Sequence, residues 1–189
     1  MISSILLAAG QSTRMGKENK LTREINGIPL IKHTINNILS SSIDELIIVL
    51  GYQKEIIENF IDNSDKIKIV FNNQFKSGMA SSIKTGVKNL STKTEAFFIC
   101  LGDMPEVNKE IYNDLIKQLK NNKIVVPTYK NKQGNPVLFS KSLKEKIMTI
   151  DGDGGAKKIL ERNSEIVFNF EVNNQAILQN YNTPDSFNI

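Results

Sequence analysis

Arg14, Lys20 and Asp103 are the side chains in this sequence best placed to do chemistry, and each lies close behind an apolar run. Residues 6–21 read LLAAGQSTRMGKENKL, an apolar segment that breaks into small residues and then into positive charge. Ala8, Ala9 and Gly10 have little or no side chain, so a ligand can approach the backbone there, and the N–H groups of such a loop suit phosphate oxygens. Arg14 can fork onto a phosphate and Lys20 adds a point charge. Neither the GK[ST] ending of a P-loop nor the third glycine of a GxGxxG dinucleotide loop is present. The second element is LGDMPEV, where Asp103 follows an apolar run with glycine before it and proline close behind. A carboxylate so placed can hold Mg²⁺ against a substrate phosphate, because such sites use one or two carboxylates together with the phosphates themselves.

Three further stretches qualify. KSGMASSIKTG, residues 76–86, puts Gly78, Ser81 and Ser82 at the opening of a helix, where small side chains and free N–H groups can read the edge of a base. QGNPVLFS contains the extended dipeptide Asn135-Pro136. DGDGGAKKIL places Asp153, Gly154, Gly155 and Ala156 before a helix, whose free N–H groups can take a second anion.

These residues need a scaffold, and the pattern of the chain supplies one. Residues 2–9, 45–51, 66–72, 96–103 and 123–128 are short runs rich in Ile, Val and Phe without alternation, as expected of strands covered on both faces. Between them lie helical patterns at PLIKHTINNILSS, QKEIIENFID and NKEIYNDLIKQLKNN, the last with Asn108 as N-cap. Asn26-Gly27 predicts a tight hairpin turn. GNPVLFS and EIVFNFEV add strands, and GGAKKILERN a short helix. The alternation predicts an α/β fold, a mostly parallel sheet with helices on both faces, in one domain spanning residues 1–189. In such sheets ligands bind outside the carboxyl ends of the strands, which is where the residues above fall.

Composition removes several function classes. The net charge of +4 is spread among interspersed carboxylates, with no basic stripe for nucleic acid. One cysteine, Cys100, and one histidine, His33, leave no zinc cluster and no intramolecular disulfide. No apolar run reaches the ~18 residues that span a bilayer, and the N-terminus lacks the basic start of a signal peptide, so a cytoplasmic location is expected.

Taken together, LLAAGQSTRMGKENKL, GMASSIKTG, LGDMPEV, GNPVLFS, GDGGAKKIL and NYNTPDSF resemble, in order and over essentially the whole chain, the motifs of the MobA-like nucleotidyltransferases. LAAG rather than LAGG, GNPV and GDGGA resemble the molybdenum cofactor cytidylyltransferase branch. The resemblance implies a GT-A-like, Rossmann-related fold and an Mg²⁺-assisted transfer of CMP from CTP to the terminal phosphate of molybdopterin. A client molybdenum hydroxylase is then an implied partner. The same resemblance gives roles to the residues. Arg14, Lys20 and Asp103 are catalytic, and Leu7, Ala8, Ala9 and Gly10 cradle the nucleotide with Gly78, Ser81 and Ser82. Asp103 is the metal ligand, with Asn182 at the position of a second one. Asn135, Pro136 and the loop carrying Asp153, Gly154, Gly155 and Ala156 face molybdopterin.

Two positions depart from the pattern. Asn135 stands where many relatives have histidine, and Asn182 where many have an acid, so the second metal position supplies an oxygen without charge. The alternatives are a guanylyltransferase, a different phosphate acceptor such as methylerythritol phosphate or a sugar phosphate, and a non-catalytic module that delivers cofactor to a partner enzyme.

Overall fold

The apolar runs form the sheet that the pattern predicts, with ends shifted by a residue or two. In chain order the strands are β1 Ile2–Ala8, β2 Glu24–Ile25, β3 Ile28–Pro29, β4 Glu45–Leu50, β5 Ile67–Phe71, β6 Ala96–Leu101, β7 Ile124–Tyr129, β8 Lys132–Gln133, β9 Val137–Ser140 and β10 Val167–Glu171. The helices are α1 Leu30–Leu39, α2 Lys54–Glu58, α3 Met79–Lys88, α4 Lys109–Lys117, α5 Lys144–Ile147 and α6 Lys157–Arg162. The computed structural model describes residues 1–12 and 18–182.

The main sheet has the order β10-β7-β9-β6-β1-β4-β5, with β8 paired to β7. β1 lies between β4 and β6, parallel to both, with Leu6 opposite Ile48 and Cys100. β9 runs antiparallel between β6 and β7, as the two-residue β8 does beside β7. Its direction is not encoded in the composition of VLFS, because a strand buried on both faces reads the same either way.

Successive residues of a strand face opposite sides, and this divides the core in two. Leu6, Ile48, Phe98 and Cys100 face one way and pack with Leu30, Ile31, Ile35 and Ile38 of α1 and with Ile111, Tyr112 and Leu115 of α4. Ile5, Ile47, Phe97 and Ile99 face the other and pack with Ile83 and Val87 of α3, Ile147 of α5 and Ile159 of α6. Each of these fully buried aliphatic side chains contributes about 1.5–3 kcal/mol relative to exposure. Helix α3 lies close on the sheet at Gly86, where a Cβ would come within 2.2 Å of Ile5 Cγ2.

Local signals act as their chemistry dictates. Asn108 Oδ1 accepts from Ile111 N at 3.3 Å, capping α4. Asn26 and Gly27 both have positive φ, 52° and 75°, joining β2 to β3 in the predicted hairpin. The helix expected over QKEIIENFID is shorter than its pattern: α2 ends at Glu58, after which Phe60 and Ile61 donate to carbonyls three residues back. The pattern over NKEIYNDLIKQLKNN likewise divides, with α4 tightening into a 3₁₀ turn at Gln118–Asn121.

Candidate active site

Because β1, β5 and β6 run in the same direction, the segments that follow them emerge at one edge of the sheet. There they enclose a cavity of about 450 Å³. Leu7, Ala8, Ala9 and Gly10 form one wall as they leave β1, and Leu101, Gly102 and Asp103 form another as they leave β6. Gly102 N donates to Leu7 O at 3.1 Å, joining the two walls just beneath the opening. A Cβ at Gly10 would meet no atom of the described residues within 4 Å, so none of them requires that residue to be small.

Lys20 reaches the cavity from a short 3₁₀ turn, Lys20–Thr22. Asn19 caps the turn, its Oδ1 accepting from Leu21 N at 3.1 Å, and Leu21 is buried in the core. The neighbouring Lys20 is thereby directed to the cavity, and its Nζ donates to Asp103 Oδ2 and, at 2.6 Å, to Asn182 Oδ1. Three residues spread over 162 positions of the chain meet at one point.

Asp103 and Asn182 are held by the same segment. Tyr181 N donates to Asp103 O at 2.9 Å, and the Tyr181 hydroxyl donates to Glu106 Oε1 at 2.5 Å. Burial, followed by the Glu106 carboxylate, pushes the Tyr181 phenol up to about 12, so it remains a donor through the physiological range. On the other side of Asp103, Thr34 Oγ1 donates to Gly102 O at 3.0 Å. Beneath the site the Cys100 thiol is pushed up to about 12 by burial, which leaves it a packing residue rather than a nucleophile.

The opposite wall is formed by the start of α3. Gly78 has φ +103°, and a Cβ there would lie 2.7 Å from Asp153 Oδ1 and from Gly152 C. Asp153 Oδ1 accepts from Met79 N at 3.1 Å, and Gly152 O accepts from Ala80 N at 3.0 Å. The loop expected to take an anion therefore does the reverse at this point. It presents a carboxylate and a carbonyl to the positive end of α3, a favourable arrangement for a helix N-terminus.

The donor set at Lys20 is a carboxylate oxygen and an amide oxygen aimed at one cation. Hard oxygen donors of this kind fit Mg²⁺ or a similar divalent ion. Among the described residues no group of three or more His, Cys, Asp and Glu side chains is assembled for a metal. Further ligands to an ion at this point would come from nucleotide phosphates and water.

Residues 4–166 match the model of the MobA-like NTP transferase domain. The chain belongs to that family. As a MobA-like protein it is 27% identical to the molybdenum cofactor cytidylyltransferase of Escherichia coli K12 over 186 residues, 98% of this chain and 93% of that one. It is 31% identical to the probable molybdenum cofactor guanylyltransferase of Methanosarcina acetivorans over 133 residues, 67% of this chain and 57% of that one. Among solved structures, Rv0371c of Mycobacterium tuberculosis H37Rv has the same fold, with a TM-score of 0.88 at 22% identity, covering 99% of this chain and 95% of that one. The MobA-like chain is thus an enzyme, a nucleotidyltransferase.

Not every residue singled out in the sequence comes to the cavity of this MobA-like fold. Leu7, Ala8, Ala9, Gly10, Lys20, Gly78, Ser82, Asp103, Asp153 and Asn182 line it. Ser81 does not: its hydroxyl donates back to Gly78 O and Gln74 O and accepts from Asn72 Nδ2, so it holds the turn before α3 together. Asn135 and Pro136 stand before β9 at the same edge of the sheet but outside the cavity lining. Asn135 N is bound to Ile177 O at 2.9 Å, and Pro136 is buried. Gly154, Gly155 and Ala156 also lie outside the lining. A Cβ at Gly155 would come within 2.8 Å of Met79 Sδ, which is part of the wall. Arg14 lies outside the described residues. The walls also include residues that sequence reasoning passed over, chiefly Ser12, Phe75, Lys76 and Asn180. Lys76 stood inside the quoted stretch KSGMASSIKTG, and its charge two residues before a glycine-opened helix was the available signal.

Proposed function

We propose that this chain, acting as one nucleotidyltransferase domain over residues 1–189, transfers CMP from CTP to the terminal phosphate of molybdopterin. In that reaction a phosphate oxygen of molybdopterin forms a bond to the α-phosphorus of CTP. The bond from that phosphorus to the bridging oxygen of the β-phosphate breaks, and pyrophosphate carries the electron pair away. The observation that carries the reading is the convergence of Lys20, Asp103 and Asn182 beside the open backbone of residues 8–10.

Transfer of this type asks the protein for positioning and charge stabilisation rather than covalent work. Mg²⁺, held by Asp103 with Asn182, would supply Lewis-acid polarisation of the phosphates. Lys20, and by its place in the sequence motif Arg14, would neutralise charge on the triphosphate and on the departing pyrophosphate. The backbone N–H groups of residues 8–10 would receive phosphate oxygens, and Ser82 and Gly78 would bound the base. The Asp153 loop, tied to α3, would form the edge that molybdopterin meets, with Asn135 beyond it. A molybdenum hydroxylase as recipient of the product, and a cytoplasmic setting, complete the proposal.

The near full-length similarity to a protein named as a cytidylyltransferase supports CTP, and the similarity to one named as a probable guanylyltransferase supplies the competing base. The test is pyrophosphate release with molybdopterin and each of the four nucleoside triphosphates. Preference for CTP by at least about tenfold, roughly 1.4 kcal/mol of discrimination, is expected. A preference for GTP would replace the cytidine assignment with guanine, and no release with any of the four would remove molybdopterin as acceptor.

A further inference from the structure

Lys20 occupies the point on which the oxygens of Asp103 and Asn182 converge. Its Nζ donates to both, and it is itself a cation. The pairing is largely shielded, with 19% of the Lys20 side chain and 10% of the Asp103 side chain exposed. Its charges balance: one ammonium meets one carboxylate, and Asn182 contributes an oxygen but no charge. Among the described residues the other carboxylate lining the cavity is Asp153, which is committed to Met79 N at the start of α3. Lys76 lines the cavity as an exposed cation and adds to the positive side.

This balance sets a condition on any divalent ion bound by Asp103 and Asn182. An ion arriving alone would have one carboxylate to share with the ammonium already there, so three positive charges would face one negative charge. Like charges a few ångströms apart in a partly desolvated site repel strongly. A triphosphate changes the count, since its oxygens offer Lys20 new acceptors and bring several negative charges of their own.

We propose that Lys20 is a resident cation that closes the Asp103–Asn182 oxygen pair to free divalent metal and yields it only to metal carried with a triphosphate. The proposal rests on the nucleotidyltransferase reading above and adds to it a role for Lys20 before the nucleotide arrives. Lys20 would release the oxygen pair and turn to the phosphates in the same binding event. Metal and nucleotide affinities would then be coupled through this one side chain, each ligand improving the binding of the other by the same factor.

The test is a Mn²⁺ titration followed by the electron paramagnetic resonance of the free ion, with and without CTP, on wild type, Lys20→Met, Lys20→Arg and Asp103→Asn. Lys20→Met, which removes the charge and keeps the aliphatic stem, is expected to bind Mn²⁺ without nucleotide about tenfold or more tightly than wild type. Lys20→Arg keeps the charge and is expected to stay near wild type. Addition of CTP should raise Mn²⁺ affinity in wild type and do so much less in Lys20→Met. Mn²⁺ binding by Lys20→Met that is no tighter than wild type overturns the proposal. Equal tightening in Lys20→Met and Lys20→Arg also overturns it, because charge would then not be what excludes the ion. If instead Asp103→Asn leaves CTP-dependent Mn²⁺ binding unchanged, the assignment of the nucleotide site itself falls.

Discussion

The two ends of the central strands handle polar groups in opposite ways. At the amino end of β1, Ser3 is fully buried and its hydroxyl donates to Glu45 Oε2 at 2.8 Å and pairs with Thr94 Oγ1 at 2.8 Å. Ile2 N donates to Asp44 Oδ2 at 2.7 Å, and Glu95 N donates to Met1 O at 2.9 Å. These groups satisfy one another, and they tie β1, β4 and β6 together. At the carboxyl end of the same strands the polar groups gather around open space. Lys20, Asp103 and Asn182 share hydrogen bonds with one another, yet all three also line the cavity. The contrast separates two uses of buried polarity. A network that consumes all its own donors and acceptors holds the sheet, and one arranged around a cavity has capacity left for a ligand.

That contrast can be broken by substitution at either end. The larger effect is expected from Asp103→Asn, which preserves the shape of the side chain and removes its charge. Turnover should fall about 1000-fold, the scale of losing one preorganised electrostatic contact in phosphoryl chemistry. Its melting temperature should stay within about 3 °C of wild type. Steady-state pyrophosphate release and calorimetry on the same preparation check both halves. The smaller effect is expected from Ser3→Ala, which removes the partner of the buried Thr94 hydroxyl and the closer of two donors to Glu45 Oε2. It should cost about 1–2 kcal/mol of stability and leave turnover within about twofold. Urea denaturation beside the same activity assay reads it. If Ser3→Ala abolished turnover without loss of stability, the division between the two ends would be wrong.

Much of this arrangement was legible in the sequence. Apolar runs of six to eight residues marked the strands, and the rule that ligands collect beyond the carboxyl ends of parallel strands put residues 8–10 and Asp103 on one edge. What periodicity could not tell is which of two adjacent serines lines the cavity. Ser81 and Ser82 are one helical step apart and Asn72 Nδ2 donates to both, but the Ser81 hydroxyl is also tied to the carbonyls of Gln74 and Gly78 in the turn before α3. Asn182 was reached only through resemblance to a motif, because its position depends on Tyr181 bonding across the molecule to Asp103 and Glu106. The tie between the 151–156 loop and the start of α3 was not legible for a related reason. The free N–H groups that matter there belong to α3, and the loop supplies the acceptors.

Nucleotide is proposed to bind at the carboxyl end of these strands and to leave the amino end untouched. Amide hydrogen exchange with and without Mg²⁺ and CTP tests it directly, because the two ends fall in separate peptides. Added nucleotide should slow exchange in residues 7–12 and 101–104 and leave residues 1–4 and 93–96 unchanged. Protection confined to the amino-end peptides, with none at residues 7–12, would contradict the account.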